Sequence, residues 1–274
     1  MKKYLIALDL DGTLLPDLYS LTDYSKKIFN KLNELGHDIV ITTGRPLRSS
    51  KFVYDAFKLK TPIINYNGCL ISYPNENKII KSVYMKREDV LDIYNKMEGR
   101  YNLFFSESYD DIHSNLDGEL YRLLMHYSDP NKLHIGDLND ILPEEIHGTL
   151  ILANSDEDAK VIHEYVNSNF TNVGSRIWAW GPFKNIIELY ETTYTKGDAI
   201  TDVAKLYGYK KEDIIACGDS QNDFEFFSHA GITVSLKNAD PRIQKISTYV
   251  YDELCENSGM AKFFNEFFEL NIKG

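Results

Sequence analysis

Tyr4-Leu5-Ile6-Ala7-Leu8-Asp9-Leu10-Asp11-Gly12-Thr13 is the stretch that decides how the chain is read. Its apolar half is one short buried strand, and its second half places two carboxylates one residue apart, followed by a glycine and a hydroxyl. Such a strand delivers acids to the end of a sheet, where α/β proteins bind ligands. Alternation along extended backbone sends Asp9 and Asp11 to one side and Leu10 to the other, while Gly12 permits a sharp turn or close approach to a ligand. Two carboxylates this close repel, and a cation or the protonation of one relieves them. The roles that follow are a nucleophile and a proton-carrying acid/base. An isolated Asp-x-Asp is more simply a strand-end turn, because Asp, Gly and Thr are ordinary turn residues.

Working outward, Thr22 caps a helix with Tyr24, Ile28, Leu32 and Leu35 at helical spacing, and Gly36 closes it. Residues 38–42 read as a second buried strand that runs directly into Thr43-Gly44-Arg45-Pro46. There a hydroxyl and neighbouring N–H groups suit a phosphate oxygen at the head of a helix. A third strand over 62–66 ends in Asn67-Gly68, a tight turn into Cys69-Leu70-Ile71.

From about residue 83 the pattern changes. A helix over 86–97, strands at 103–105, 120–127 and 148–153, a helix capped by Ser155 through about 167, and strands at 176–180 and 185–189 make an α+β segment. The expected organisation is a core of residues 1–82 and 190–274 with an inserted domain at 83–189. Alternation then resumes. Lys196-Gly197 opens a helix closed by Gly208, and a strand at 213–217 runs into Gly218-Asp219-Ser220-Gln221-Asn222-Asp223. A strand at 232–235, a helix starting at Asp240-Pro241, a short strand at 248–251 and a helix over 259–268 follow.

With 274 residues the chain has room for one large domain or two modest ones, and for a real core. At 43% hydrophobic and 26% charged it is an ordinary globular composition. A net charge of -11 argues against nucleic acid or an anionic membrane as partner. It leaves an anionic substrate open, because salt screens the distant field within about 8 to 10 Å. Cys69, Cys217 and Cys255 form no CxxC and read as reduced thiols. The N-terminal apolar run is too short for a signal or membrane span, so a cytoplasmic protein is expected.

In a parallel sheet the ends carrying Asp9 and Asp11, Thr43, and Asp219 with Asn222 and Asp223 lie on one side and form one crevice. That many carboxylates need a cation, and oxygen-only ligation points to Mg²⁺. Taken alone, residues 218–223 are equally a cap-rich helix start. Lys196 at a helix N-terminus opposes the macrodipole, and a solvated lysine is the plain alternative to an ammonium that balances carboxylates and phosphate.

The set Asp9-Leu10-Asp11-Gly12-Thr13, Thr43-Gly44-Arg45, Lys196-Gly197 and Gly218-Asp219-Ser220-Gln221-Asn222-Asp223 resembles, in this order, the four motifs of the haloacid dehalogenase-like (HAD) superfamily. The long insert, Asn67-Gly68, Asn238-Ala239 and Ser258-Gly259-Met260-Ala261 resemble its Cof-type phosphatases. Ser235-Leu236-Lys237 departs from the Met-Gly usual before Asn-Ala. The resemblance implies an α/β fold, a doubly wound, mostly parallel Rossmann-like core sheet with an inserted α+β cap domain.

For function it implies a Mg²⁺-dependent phosphatase of small phosphorylated metabolites, sugar phosphates or phosphorylated cofactors, acting through an aspartyl phosphate. Asp9 is then the nucleophile, Asp11 the acid/base, and Lys196 the charge-neutralising cation. Thr43 would hold the phosphoryl group with Gly12, Gly44, Arg45, Asn67 and Asn222 beside it. Mg²⁺ would sit on Asp9, the Asp11 carbonyl and Asp219, with Asp223 or Asn222 in support. The insert would close over the site, with Tyr109, His113, Arg122, Trp178 and Lys184 as candidate substrate contacts. Two rival functions are a sugar phosphomutase with the same chemistry and a metabolite-binding regulator without turnover. Oligomeric state is left open.

Overall fold

The computed structural model describes residues 2–118, 122, 123, 125, 126, 129–180 and 183–273. The chain divides into two compact units, one of residues 1–45, 50–81 and 195–274, the other of residues 46–49 and 82–194. The chain begins with β1 (Leu5–Leu8), α1 (Asp23–Glu34), β2 (Asp38–Ile41), α2 (Leu47–Ala56), β3 (Ile63–Asn65), β4 (Leu70–Tyr73) and β5 (Lys78–Ser82), of which only the first residues of α2 and the last of β5 fall in the second unit. The insert supplies β6 (Met85–Lys86), α3 (Arg87–Lys96), β7 (Tyr101–Ser108), β8 (Asp111–Ser114), β9 (Leu133–Ile135), α4 (Leu138–Ile141), β10 (Glu145–Ile146), β11 (Gly148–Ala153), α5 (Asp156–Asn169), β12 (Val173–Trp180) and β13 (Phe183–Glu191). The first unit resumes with α6 (Lys196–Tyr207), β14 (Ile214–Cys217), α7 (Phe224–Ser228), β15 (Ile232–Leu236), α8 (Pro241–Ile246), β16 (Tyr249–Tyr251) and α9 (Gly259–Phe267).

The first unit is built on a parallel sheet in the order β16-β15-β14-β1-β2. Its Rossmann-like character follows from β1 and β14, apolar at every position and buried throughout, as strands covered on both faces must be. A parallel bridge from Thr42 to Ile64 leads on to β3, which turns back antiparallel into β4. From β1 the chain goes out through β2 on one side and later returns through β14 on the other, so the strand order reverses at β1. Ligand crevices form at such a reversal. Phe29 of α1 meets Phe264 of α9 edge to face, with 5.6 Å between ring centroids. Elsewhere α6 packs beside α7.

The insert carries a six-stranded sheet in the order β12-β13-β11-β7-β8-β9, antiparallel except between β8 and β9, and a small β6–β10 pair. Alternation sorts its side chains. Phe104, Ile151 and Ile187 join Val90, Ile93, Ile162 and Val166 from α3 and α5 in the larger core, while Leu103, Phe105 and Ile186 form a smaller cluster on the other face with Ile112, Met125 and Phe183. β13 pairs through Glu191 with Val173, and Thr193 and Tyr194 donate their N–H groups back to the Glu191 carboxylate. The unit therefore runs to Tyr194, past the residue 189 read from the sequence. Of the strand expected over 120–127, residues 122 and 123 are helical and 125 and 126 form a turn; the remainder lies outside the described residues.

The candidate contacts of the insert have local roles. Tyr109 donates its hydroxyl to Glu145, His113 stacks on His134, Arg122 pairs with Asp117 at 2.7 Å, Trp178 is half-buried against the smaller core, and Lys184 is exposed. All three cysteines are buried. Among the described residues no helix is long and apolar enough to cross a membrane.

Candidate active site

Asp9 is the first residue beyond β1, and its N–H reaches the Cys217 carbonyl of β14 at 3.0 Å, so β1 and β14 deliver their C-terminal loops side by side. Lys196 opens α6, whose N-terminus is fixed by a capping box between Thr195 and Asp198. Its buried ammonium donates to Asp9 Oδ1 at 2.7 Å and to Asp223 Oδ1 at 2.9 Å. These two carboxylates offset the unfavourable macrodipole at this position. Burial alone would lower the Lys196 ammonium, but Asp223 and Asp9 outweigh it and hold it above its usual range.

Asp223 has both oxygens engaged. Oδ1 takes the lysine, and Oδ2 accepts the N–H groups of Asp219 at 3.0 Å and Ser220 at 3.2 Å. It therefore ties Lys196 to the loop that carries Asp219. Asp219 differs, because its Oδ1 is buried with no hydrogen-bond partner. Oxygens of Asp9, Asp219 and Asp223 lie within 4.8 Å of one another. Burial pushes the Asp9 carboxyl well above the usual carboxylate range against the pull of Lys196, and burial with the neighbouring Asp223 pushes Asp219 up to about 7. One ammonium among three clustered carboxylates leaves a deficit of positive charge. An oxygen-only donor set with an orphaned buried oxygen fits a hard divalent cation such as Mg²⁺.

This predicts how stability responds to pH and metal. A carboxyl whose folded value lies above its unfolded value binds a proton that the unfolded chain has released, so the metal-free protein loses stability as pH rises from about 4 to about 7. For Asp219 the loss is at most about 4 kcal/mol, and Asp9 adds in the same direction. Mg²⁺ is accordingly expected to raise the thermal midpoint far more at pH 8 than at pH 5. A Mg²⁺ increment independent of pH would contradict this.

Gly12 has a φ of +72°, and a Cβ there would lie 2.3 Å from Asp219 Oδ2. Gly12→Ala is expected to strain the turn and displace Asp219, weakening Mg²⁺ binding at least about tenfold, equivalent to about 1.4 kcal/mol. A calorimetric titration with Mg²⁺ checks it. The Gly12 carbonyl accepts from Asn238 Nδ2 at 2.7 Å, and Asn238 Oδ1 accepts from Cys255 N–H at 2.9 Å.

Thr43 is buried, with its hydroxyl oxygen accepting the Arg45 N–H at 3.1 Å and its own N–H on Ile64 O at 2.9 Å. Two of the N–H groups that the sequence leaves available for phosphate are thus already used, that of Arg45 within the loop and that of Thr43 on β3. Asn67, at a φ of 56°, lies against Gly44 and accepts from Asn222 Nδ2 at 2.9 Å. This joins the ends of β2, β3 and β14. Arg45, expected beside the substrate, donates Nε to Asp11 Oδ2 at 2.9 Å, Nη2 to Asp11 Oδ1, and Nη1 to the Leu18 carbonyl at 2.6 Å. Asn65 donates to the Arg45 carbonyl at 2.8 Å and to Ser50 at 2.9 Å. The sequence alone does not mark Asn65 or Asn238 as a site residue. Asn65 carries a faint signal, a polar residue inside a buried strand, and Asn238 carries only its place in the resemblance.

A family model described as haloacid dehalogenase-like hydrolase matches residues 6–264. The chain belongs to the haloacid dehalogenase-like hydrolases. Among haloacid dehalogenase-like relatives it is similar to the Bacillus subtilis 5-amino-6-(5-phospho-D-ribitylamino)uracil phosphatase YitU, at 32% identity over 98% of this chain and 99% of that protein. A putative phosphatase of Metamycoplasma hominis is 27% identical, with 96% of each chain covered. Among solved structures, TM0651 of Thermotoga maritima superposes with a TM-score of 0.80 at 23% identity, covering 96% of this chain and 97% of its own. The sugar phosphatase BT4131 gives 0.76 at 18% identity, covering 97% and 99%. At these identities the structures bear on the haloacid dehalogenase-like fold alone.

Proposed function

We propose that this haloacid dehalogenase-like phosphatase is Mg²⁺-dependent and hydrolyses phosphate monoesters of small sugars, sugar alcohols or cofactors through an aspartyl phosphate. The observation that carries the reading is Asp9, held at the strand-order reversal by a buried lysine and clustered with Asp219, whose free oxygen calls for a cation. Asp9 Oδ2 would attack phosphorus in line, while Lys196 holds Oδ1 and balances the charge that builds on the phosphoryl group. Asp11 would give a proton to the departing ester oxygen and then take one from the water that attacks the aspartyl phosphate. Thr43 and the backbone beside it would hold the phosphoryl oxygens. Mg²⁺, held by Asp9, Asp219 and the Asp11 main chain with Asp223 fixing their loop, would supply Lewis-acid stabilisation of the phosphoryl oxygens.

A relative supports the choice of substrate class. YitU is named for a phosphoribityl ester, so a phosphorylated sugar alcohol or sugar is the first choice. The inserted unit stands where the family's cap domain stands in chain order, and we place the protein in the cytoplasm. The test is phosphate release from a panel that includes 5-amino-6-(5-phospho-D-ribitylamino)uracil, hexose phosphates, pyridoxal phosphate and flavin mononucleotide, with Mg²⁺ and with chelator. Mg²⁺-dependent release from a sugar or sugar-alcohol ester supports the reading, and no release from any ester overturns it.

A further inference from the structure

Arg45 and Asp11 are 34 residues apart and form a two-pronged ion pair in which the usual burial is reversed for one partner. The arginine side chain is 5% exposed and the aspartate side chain 58%. Arg45 is fixed from several directions: its Nη1 on the Leu18 carbonyl, its N–H on Thr43 Oγ1, and its carbonyl under Asn65 Nδ2. Asp11 lies where the chain turns, with Gly12 N–H on Leu15 O at 2.9 Å. An exposed aspartate in a turn has several rotamers open to it. A fixed guanidinium that grips both oxygens selects one of them, which a lysine, as a single point charge, does not.

We propose that Arg45 is the positioning residue for Asp11, anchoring the proton carrier at the reacting ester rather than binding substrate phosphate itself. This rests on the reading of Asp11 given above. In the first step Asp11 in its protonated form, whose oxygens keep lone pairs for the Arg45 N–H groups, gives that proton to the ester oxygen as its bond to phosphorus breaks and the Asp9 oxygen bonds to phosphorus. In the second, water bonds to phosphorus, the Asp9 oxygen leaves, and Asp11 recovers a proton from the water. A misplaced Asp11 therefore harms esters of poor leaving groups and spares those that depart without a proton.

The experiment compares kcat/KM, which reports transfer to Asp9, for ribitol 5-phosphate and p-nitrophenyl phosphate at saturating Mg²⁺. Arg45→Lys is expected to lose about 10- to 100-fold on the alkyl ester and less than about threefold on the aryl ester. Asp11→Asn should give the same signature, and adding Arg45→Lys to it should cost nothing further. Equal losses on both esters, carried by KM, would make Arg45 a phosphate anchor and overturn the proposal. So would additive losses in the double variant, equal losses with a lowered thermal midpoint, or no loss. A wild-type protein inert toward both esters would instead remove the phosphatase reading, and the inference with it.

Discussion

Asp9→Asn is expected to reduce phosphate release by about 10,000-fold or more, because it removes the atom that bonds to phosphorus. Stability should move the other way. The asparagine is isosteric and neutral, it leaves Lys196 its bond to Asp223, and it removes one of three crowded carboxylates. The thermal midpoint of the metal-free variant is therefore expected to equal or exceed that of the wild type near pH 8, where burial and neighbouring charge disfavour the ionised Asp9 most. Initial-rate assays and thermal melts on one preparation check both halves. A large loss of activity together with a large loss of stability would mean that Asp9 holds the loop together instead of reacting.

Lys196→Met is expected to damage both properties. The side chain is fully buried and bridges Asp9 and Asp223, so its removal leaves two buried carboxylates facing each other without their counter-ion. Breaking one side of such a pair costs about 3 to 5 kcal/mol, measurable as a fall in the urea midpoint at unchanged slope. Turnover should fall about 1000-fold, as for other groups that stabilise developing charge. The contrast with Asp9→Asn is the informative part. Removing a negative charge from the cluster should be tolerated by the fold, and removing its ammonium should not.

What the sequence disclosed follows from how local its signals are. β1 and β14 are continuous apolar runs, Lys196-Gly197 and Gly208 bound α6, and Asp9 stands at a strand end; each is legible within a few residues. The grouping of Asp9, Asp219 and Asp223 is legible because a parallel sheet puts all its C-terminal ends on one side, and Lys196 joins them through the charge balance that the carboxylates require. The division of labour among the carboxylates is not legible in this way. Both oxygens of Asp223 are occupied and one of Asp219 is free, which depends on the turn geometry of residues 219–223. The grip of Arg45 on Asp11 spans 34 residues and has no periodic trace, and Asn238 reaches Gly12 across 226 residues. In the insert, the described residues of the strand expected at 120–127, namely 122, 123, 125 and 126, are helix and turn, where the sequence offered apolar residues without clear alternation. β13 ran beyond 189 because its length is set by pairing with β12, a tertiary property.

The central claim is that Asp9 becomes covalently phosphorylated, and the stereochemical course at phosphorus tests it most directly. A monoester made chiral at phosphorus with sulfur and oxygen isotopes, turned over in isotopically labelled water with Mg²⁺, should yield thiophosphate of retained configuration, because two in-line displacements each invert the centre. Inverted product would mean that water attacks the substrate directly, and Asp9 would then not be the nucleophile.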